Sequence, residues 1–113
     1  MYGKETAKLA RQLRTFLLNH LKGIQEIPDE KLAIIGYGYG TGYKDLICTI
    51  MVSRSGLKLG LNKDAELSDP KKLLTGTGKV HRYVIIKDEE NIHAPAVKQL
   101  LEEALLSYQK RKT

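Results

Sequence analysis

Residues 46–61 decide the fold of this 113-residue chain, and they read LICTIMVSRSGLKLGL. The first half is rich in β-branched side chains, and a strand there would carry Leu46, Cys48, Ile50 and Val52 on one face. The second half alternates leucine with lysine or glycine, which is typical of a half-buried strand. The intervening SRSG supplies the glycine of a tight connection. These residues therefore predict a β-hairpin at the centre of the domain.

Amphipathic helices are predicted at both ends of the chain. Apolar residues recur at spacings of three and four over residues 5–22, and Gly23 is a suitable stop. The same spacing predicts a second helix that begins near Pro95. Each helix has one apolar face, and a sheet offers one surface on which both can be buried.

Two further strands are predicted, over residues 32–35 and 80–87, while residues 27–30 (IPDE) are typical of a turn. The connection over residues 62–79 exceeds the usual loop length, and we expect a short helix in it that is capped by Asp69. Short sequential connections favour antiparallel pairing. We therefore expect a single α+β domain over residues 1–113: a two-layer sandwich of about four antiparallel strands with the N- and C-terminal helices on one face.

The chain carries a net charge of +6, and the excess lies at its ends. Residues 1–25 contribute +4, a basic tail at about residues 109–113 contributes +3, and the middle is close to neutral. No apolar run is long enough to span a membrane, and the first residues lack the pattern of a secretion signal. Cys48 is the only cysteine, which excludes an internal disulfide. We expect a cytoplasmic protein that does not bind membranes.

A segment rich in glycine and basic residues is the first candidate site. Its residues are Gly76, Gly78, Lys79, His81 and Arg82. It lacks the earlier glycine, the following Ser or Thr and the following helix of a nucleotide-binding phosphate loop. Two interpretations remain: a helix cap followed by a turn into a strand, or backbone N–H groups and two cations that together bind an anion.

Tyrosines alternate with glycines immediately after the first predicted strand, over residues 36–43. The spacing of the glycines does not fit a dinucleotide-binding fingerprint. Tyr37 and Tyr39 could line a ligand groove, because tyrosine offers an apolar face and a polar tip, or they could be structural.

No catalytic or metal-binding constellation is evident. The three histidines lack metal-ligand spacing, and Cys48 lies within an apolar strand. We therefore expect no catalysis and no resident cofactor or metal. Four cations on or beside the first helix form a stripe that could follow a phosphate backbone, or simply a solvated helix face: Lys4, Lys8, Arg11 and Lys22.

Residues 67–84, LSDPKKLLTGTGKVHRYV, resemble the signature of the YdhG-like domain family, whose function is largely undefined. The later residues 100–104, LLEEA, also match that family, and Tyr83 stands where its members often have histidine. The resemblance implies an α+β fold with terminal helices on a sheet. Because some members are described as frataxin-like iron chaperones, it also implies iron as a possible cargo.

Three functions follow as hypotheses. The first is a non-catalytic binding or accessory module that holds an anionic small molecule or a protein partner at residues 76–82, with Tyr37 and Tyr39. The second is nucleic-acid binding through the first helix and the basic tail. The third is iron carriage.

Overall fold

The computed structural model of the protein describes residues 4–29, 34–40, 45–53, 56–62 and 81–112. Three helices and five strands lie in these ranges. In chain order they are α1 (Lys4–His20), β1 (Gln25–Asp29), β2 (Ile34–Gly38), β3 (Leu46–Ser53), β4 (Gly56–Asn62), β5 (His81–Ile86), α2 (Glu89–His93) and α3 (Pro95–Lys112). The predicted α+β class is confirmed. The short helix expected around Asp69 lies outside the described residues.

The five strands form one antiparallel sheet in the order β1-β2-β3-β4-β5. About four strands were expected, and the structure has one more. The additional strand is β1, which contains Pro28 and was interpreted as a turn. Proline lacks the N–H that a central strand needs, but in the described part of the chain β1 is an edge strand, which pairs with β2 alone.

The helices pack on one face of the sheet, as predicted. On that face the register aligns Ile50 with Leu59, and Leu59 with Val84, across three strands. These three side chains are buried in a core that also contains Leu13 and Leu17 of α1. The contribution of α3 to the same core consists of Val97, Leu100, Leu101 and Ala104.

A β-bulge between Tyr37 and Gly38 alters the expected face of β3. Tyr37 pairs with Cys48, whereas Gly38 pairs with Leu46, so Ile47 is the extra residue. Ile47 and Cys48 are both buried in the core. Leu46 was predicted to share the face of Cys48, and this is corrected: its Cδ2 lies 2.9 Å from the position that a Cβ on Gly36 would occupy.

The first helix ends two residues before the predicted boundary, at His20. Gly23 follows with φ of +76°, a left-handed conformation that glycine adopts without steric cost. The acidic residues Asp88, Glu89 and Glu90 are exposed at the start of α2. Asp88 caps α2, and its carboxylate accepts a 3.0 Å hydrogen bond from the N–H of Asn91.

Candidate functional site

A groove of about 430 Å³ lies between α1 and α2. One stripe of α1 forms most of its lining, at a spacing of three to four residues: Lys8, Arg11, Gln12, Thr15, Phe16, Asn19 and His20. The other side is formed by Glu89 and His93 of α2. The volume falls within the range of small-molecule sites, roughly 300–1,000 Å³.

The helical repeat explains why these α1 side chains share one surface. Residues three and four apart project from the same side of an α-helix, so Lys8, Arg11, Thr15 and Asn19 form a continuous row. The cap at Asp88 fixes the start of α2, and the Oδ1 of Asn91 accepts a 2.8 Å hydrogen bond from the N–H of Lys87. These two bonds hold Glu89 and His93 opposite the row.

The end of the groove nearest the N-terminus of α1 is basic, and we refer to Lys8 and Arg11 as the cationic end. Both side chains are exposed, and neither forms an ion pair with any residue that the structure describes. Among the described residues of the lining, Glu89 is the only acidic one. With the histidines neutral, these described residues carry a net charge of +1, which favours an anion.

The other end is lined by three ring side chains, Phe16, His20 and His93, which we refer to as the ring wall. The imidazole of His20 stacks on Phe16, with ring centroids 4.1 Å apart and planes at 28°. The His93 ring meets Phe16 edge-on, at 5.5 Å and 83°. Phe16 is only 6% exposed, whereas both histidines are exposed.

A hydrogen bond also fixes the orientation of His20. Its Nδ1 lies 3.1 Å from the backbone oxygen of Phe16. A carbonyl oxygen can only accept, so Nδ1 carries the proton and donates it. One stacking contact and one hydrogen bond thus hold the imidazole in place at the surface.

The glycine-rich candidate site lies mostly outside the described residues. Gly76, Gly78 and Lys79 are among the undescribed residues, and His81 is described only as the first residue of β5. Arg82 is half-buried in β5, where it pairs with Leu61 of β4. The anion-binding interpretation of this segment stays a prediction.

The two tyrosine candidates do not line the α1–α2 groove: Tyr37 lies in β2, and Tyr39 lies directly after this strand. Tyr37 is fully buried, and its hydroxyl donates a 2.6 Å hydrogen bond to Oε2 of Glu26. Burial raises the pKa of this hydroxyl above its ordinary value, and the bond to Glu26 raises it further. A side chain so enclosed offers no ligand-facing surface, which supports the structural interpretation of Tyr37.

Tyr39 is half-buried and stacks on Tyr108 of α3, with centroids 5.7 Å apart and planes at 28°. Its hydroxyl donates a 3.1 Å hydrogen bond to the backbone oxygen of Lys22. Burial raises the pKa of Tyr39 as well. These contacts connect the end of β2 to α3 and to the turn that follows α1.

The four cations of the nucleic-acid hypothesis are all exposed. Lys4, Lys8 and Arg11 lie on α1, and Lys22 lies in the turn that follows it. Only Lys8 and Arg11 reach the groove. The structure shows that Phe16 reaches both the core and the groove, with a histidine on either side.

Metal-ligating side chains do not converge in the described parts of the chain, where no group of three His, Cys, Asp or Glu residues could hold a metal ion. Cys48 is buried, and burial raises the pKa of its thiol to about 12. A thiol in this environment forms little of the thiolate that reacts as a nucleophile.

The α1–α2 groove was not predicted from the sequence. Lys8 and Arg11 were singled out for nucleic-acid binding, and His20 and His93 were considered only as unpaired histidines. The feature of the sequence that could have indicated the groove was the row of polar residues on α1 beside Phe16. Its partner, α2, follows about 70 residues later, at a position that no local pattern relates to α1.

Within the described ranges, no helix combines the length and the apolar character that a bilayer crossing requires. Comparisons with known proteins add no relative: no protein-family model, no curated protein and no solved structure matches the chain.

Proposed function

We propose that the chain is a non-catalytic binding module that holds an anionic ligand in the groove between α1 and α2. The observation that carries this proposal is the cationic end. Lys8 and Arg11 are exposed in a concave surface, and Glu89 alone opposes their charge among the lining residues that the structure describes. A concave site also focuses the field of its charges, so two cations attract an anion there more strongly than on an open helix face.

This proposal retains the anionic ligand expected from the sequence and places it at a different site. The glycine-rich segment with Lys79 and Arg82 is the competing location. The buried thiol of Cys48 accords with a reducing compartment, so we propose the cytoplasm as the place of action. Membership of the YdhG-like family stays a prediction.

Calorimetric titration with inorganic pyrophosphate tests the proposal. We expect the wild-type protein to bind pyrophosphate and the double variant Lys8→Gln/Arg11→Gln to bind it at least tenfold more weakly. Glutamine keeps the helix propensity of α1, so the fold should be retained. The matched control is Lys87→Gln/Lys98→Gln, which removes two exposed cations outside the groove.

Two outcomes would contradict the groove as the site. Equal weakening by both double variants would show that net charge alone attracts the anion. Loss of binding in Lys79→Gln/Arg82→Gln, with Lys8→Gln/Arg11→Gln unaffected, would place the site at the glycine-rich segment instead.

Single-stranded nucleic acid is the second candidate ligand, and the exposure of Lys4, Lys8, Arg11 and Lys22 favours it. Such binding weakens steeply with salt, because each neutralised phosphate releases counterions. A mobility shift of a short oligonucleotide at low salt would support this candidate, and its absence would exclude it. The variant Lys4→Gln/Lys22→Gln separates the two functions, because it shortens the stripe and leaves the groove intact.

A further inference from the structure

We infer that the ligand of the groove is a nucleoside polyphosphate, whose base stacks on His20 while its phosphates lie toward Lys8 and Arg11. This inference rests on the proposed function and adds the chemical class of the ligand. It follows from the presence of two different ends in one groove, the cationic end and the ring wall.

In the ring wall, one face of the His20 imidazole packs on Phe16, while His20 remains accessible to solvent. Phe16 covers one side of His20 at a centroid distance of 4.1 Å, and the bond from Nδ1 to the Phe16 oxygen restrains the ring. His20 is nevertheless exposed. A ring that is already oriented loses little conformational freedom when a second ring stacks on it. Nucleobases stack on aromatic side chains in this way in single-stranded nucleic-acid sites.

His93 limits the groove on the opposite side. Its ring meets Phe16 edge-on from α2, so it stands across from the stripe of α1. Between the two ends lie Gln12, Thr15 and Asn19, which offer hydrogen-bond donors and acceptors. The Thr15 hydroxyl donates a 3.0 Å bond to the Arg11 backbone oxygen and retains acceptor capacity. These groups suit the hydroxyls of a sugar.

The separation of the two ends indicates the length of the ligand. His20 follows Arg11 by nine positions, and at about 1.5 Å per residue this corresponds to roughly 13 Å along the helix axis. A single phosphate could not contact both ends. A base, a sugar and a chain of phosphates could extend over this distance, within a groove of about 430 Å³.

Calorimetric titration with three probes tests the inference: ATP, inorganic tripolyphosphate, which lacks the ring, and adenosine, which lacks the charge. All titrations are made in the same buffer at a single pH, near 8. We expect ATP to bind roughly tenfold more tightly than tripolyphosphate, because stacking of one base contributes about that factor. Adenosine should bind more weakly than ATP.

His20→Ala should lower the affinity for ATP to that for tripolyphosphate and leave tripolyphosphate binding unchanged. His20→Phe should restore tight ATP binding, because it retains a ring. AMP and ADP measure the length: affinity should rise from AMP to ATP if the phosphates extend toward Lys8 and Arg11. Titration with a short oligoadenylate determines whether the groove binds the bases and phosphates of a nucleic-acid chain.

The outcomes separate this inference from the proposal on which it rests. If neither ATP nor tripolyphosphate binds, the proposed function is wrong. If ATP and tripolyphosphate bind equally and His20→Ala changes neither affinity, the groove is an anion site, and the inference that its ligand is a nucleoside polyphosphate is overturned. If His20→Ala weakens both probes alike, His20 does not act as a stacking surface, and the inference is equally overturned.

Discussion

Tyr37 and Glu26 are directly opposite each other across β1 and β2, and the phenol hydroxyl of Tyr37 donates a 2.6 Å hydrogen bond to Oε2 of Glu26. The same oxygen accepts a 2.6 Å bond from Nε of Arg14, and the other carboxylate oxygen accepts one of 3.1 Å from Nη2. One carboxylate therefore joins α1, the edge strand and a fully buried ring.

Removal of the Tyr37 hydroxyl should weaken this connection. We expect Tyr37→Phe to lower the free energy of unfolding by about 1 kcal/mol, because one hydrogen bond to a charged acceptor is lost while the ring remains packed. Urea denaturation with circular dichroism measures the change. The control is Tyr39→Phe, whose hydroxyl bonds to the exposed backbone of Lys22 and should contribute less. Equal effects of the two variants would contradict the role assigned to Tyr37.

Stability should depend on pH through Glu26. The hydrogen bond from Arg14 lowers the pKa of Glu26 below its ordinary value of 4.5, and the bond from Tyr37 adds to this. A carboxylate with a lowered pKa in the folded state stabilises the fold above its ordinary pKa, and this stabilisation is lost as the pH falls through the lowered value. We therefore expect Glu26→Gln to be less stable than wild type at neutral pH.

The difference between Glu26→Gln and wild type should shrink below about pH 4.5 and vanish at lower pH. Denaturant titrations at a series of pH values measure it. Glu102→Gln, which removes an exposed carboxylate from α3, reports the general effect of one lost negative charge. A difference between Glu26→Gln and wild type that is independent of pH would show that the Arg14–Glu26 pair does not stabilise the fold.

Thr49 is a site where a substitution should stabilise the protein. It is 4% exposed, and its Oγ1 has no hydrogen-bond partner among the described residues. A buried hydroxyl without a partner is costly, so Thr49→Val should raise the free energy of unfolding by about 1 kcal/mol. Thr49→Ser retains the hydroxyl and loses a methyl group, and it should destabilise. Thermal melts of both variants decide the matter, and a lower melting temperature for Thr49→Val would refute the prediction.

Cys48 should be unreactive in the folded protein. The residue is 1% exposed and the pKa of its thiol is raised to about 12, so almost no thiolate is present at neutral pH. We expect no reaction with a disulfide reagent under native conditions and one equivalent after unfolding in guanidinium chloride. Rapid labelling of the native protein would mean that β3 opens readily or that the thiol lies nearer the surface.

The sequence predicts most of the fold because its strongest patterns are local. Alternation over residues 46–61 and the helical spacing of apolar residues each depend on close neighbours, and the paired strands β3 and β4 and both terminal helices were predicted correctly. Strand β1 was missed because Pro28 has the signature of a turn, and only its place at the sheet edge makes a strand possible. The bulge at Ile47 likewise depends on a partner strand.

The candidate site was predicted only in part, for the same reason. The positive charges of Lys8 and Arg11 are visible in the sequence, but the groove requires α2 to meet α1. The stacking of His20 on Phe16 is a local contact between neighbouring turns of α1. A ligand can stack on the His20 ring only because His20 is exposed. Exposure is set by the packing of distant elements, and periodicity alone does not report it.

Pro28 has a consequence for self-association. The strand that carries it lies at the border of the sheet, and proline has no amide hydrogen to offer an incoming strand. If a strand of a second polypeptide paired with β1, it would lack one backbone hydrogen bond at Pro28. The negative charge of Asp29 lies next to that position. Pro28 thus disfavours polymerisation by strand addition at this edge of the sheet.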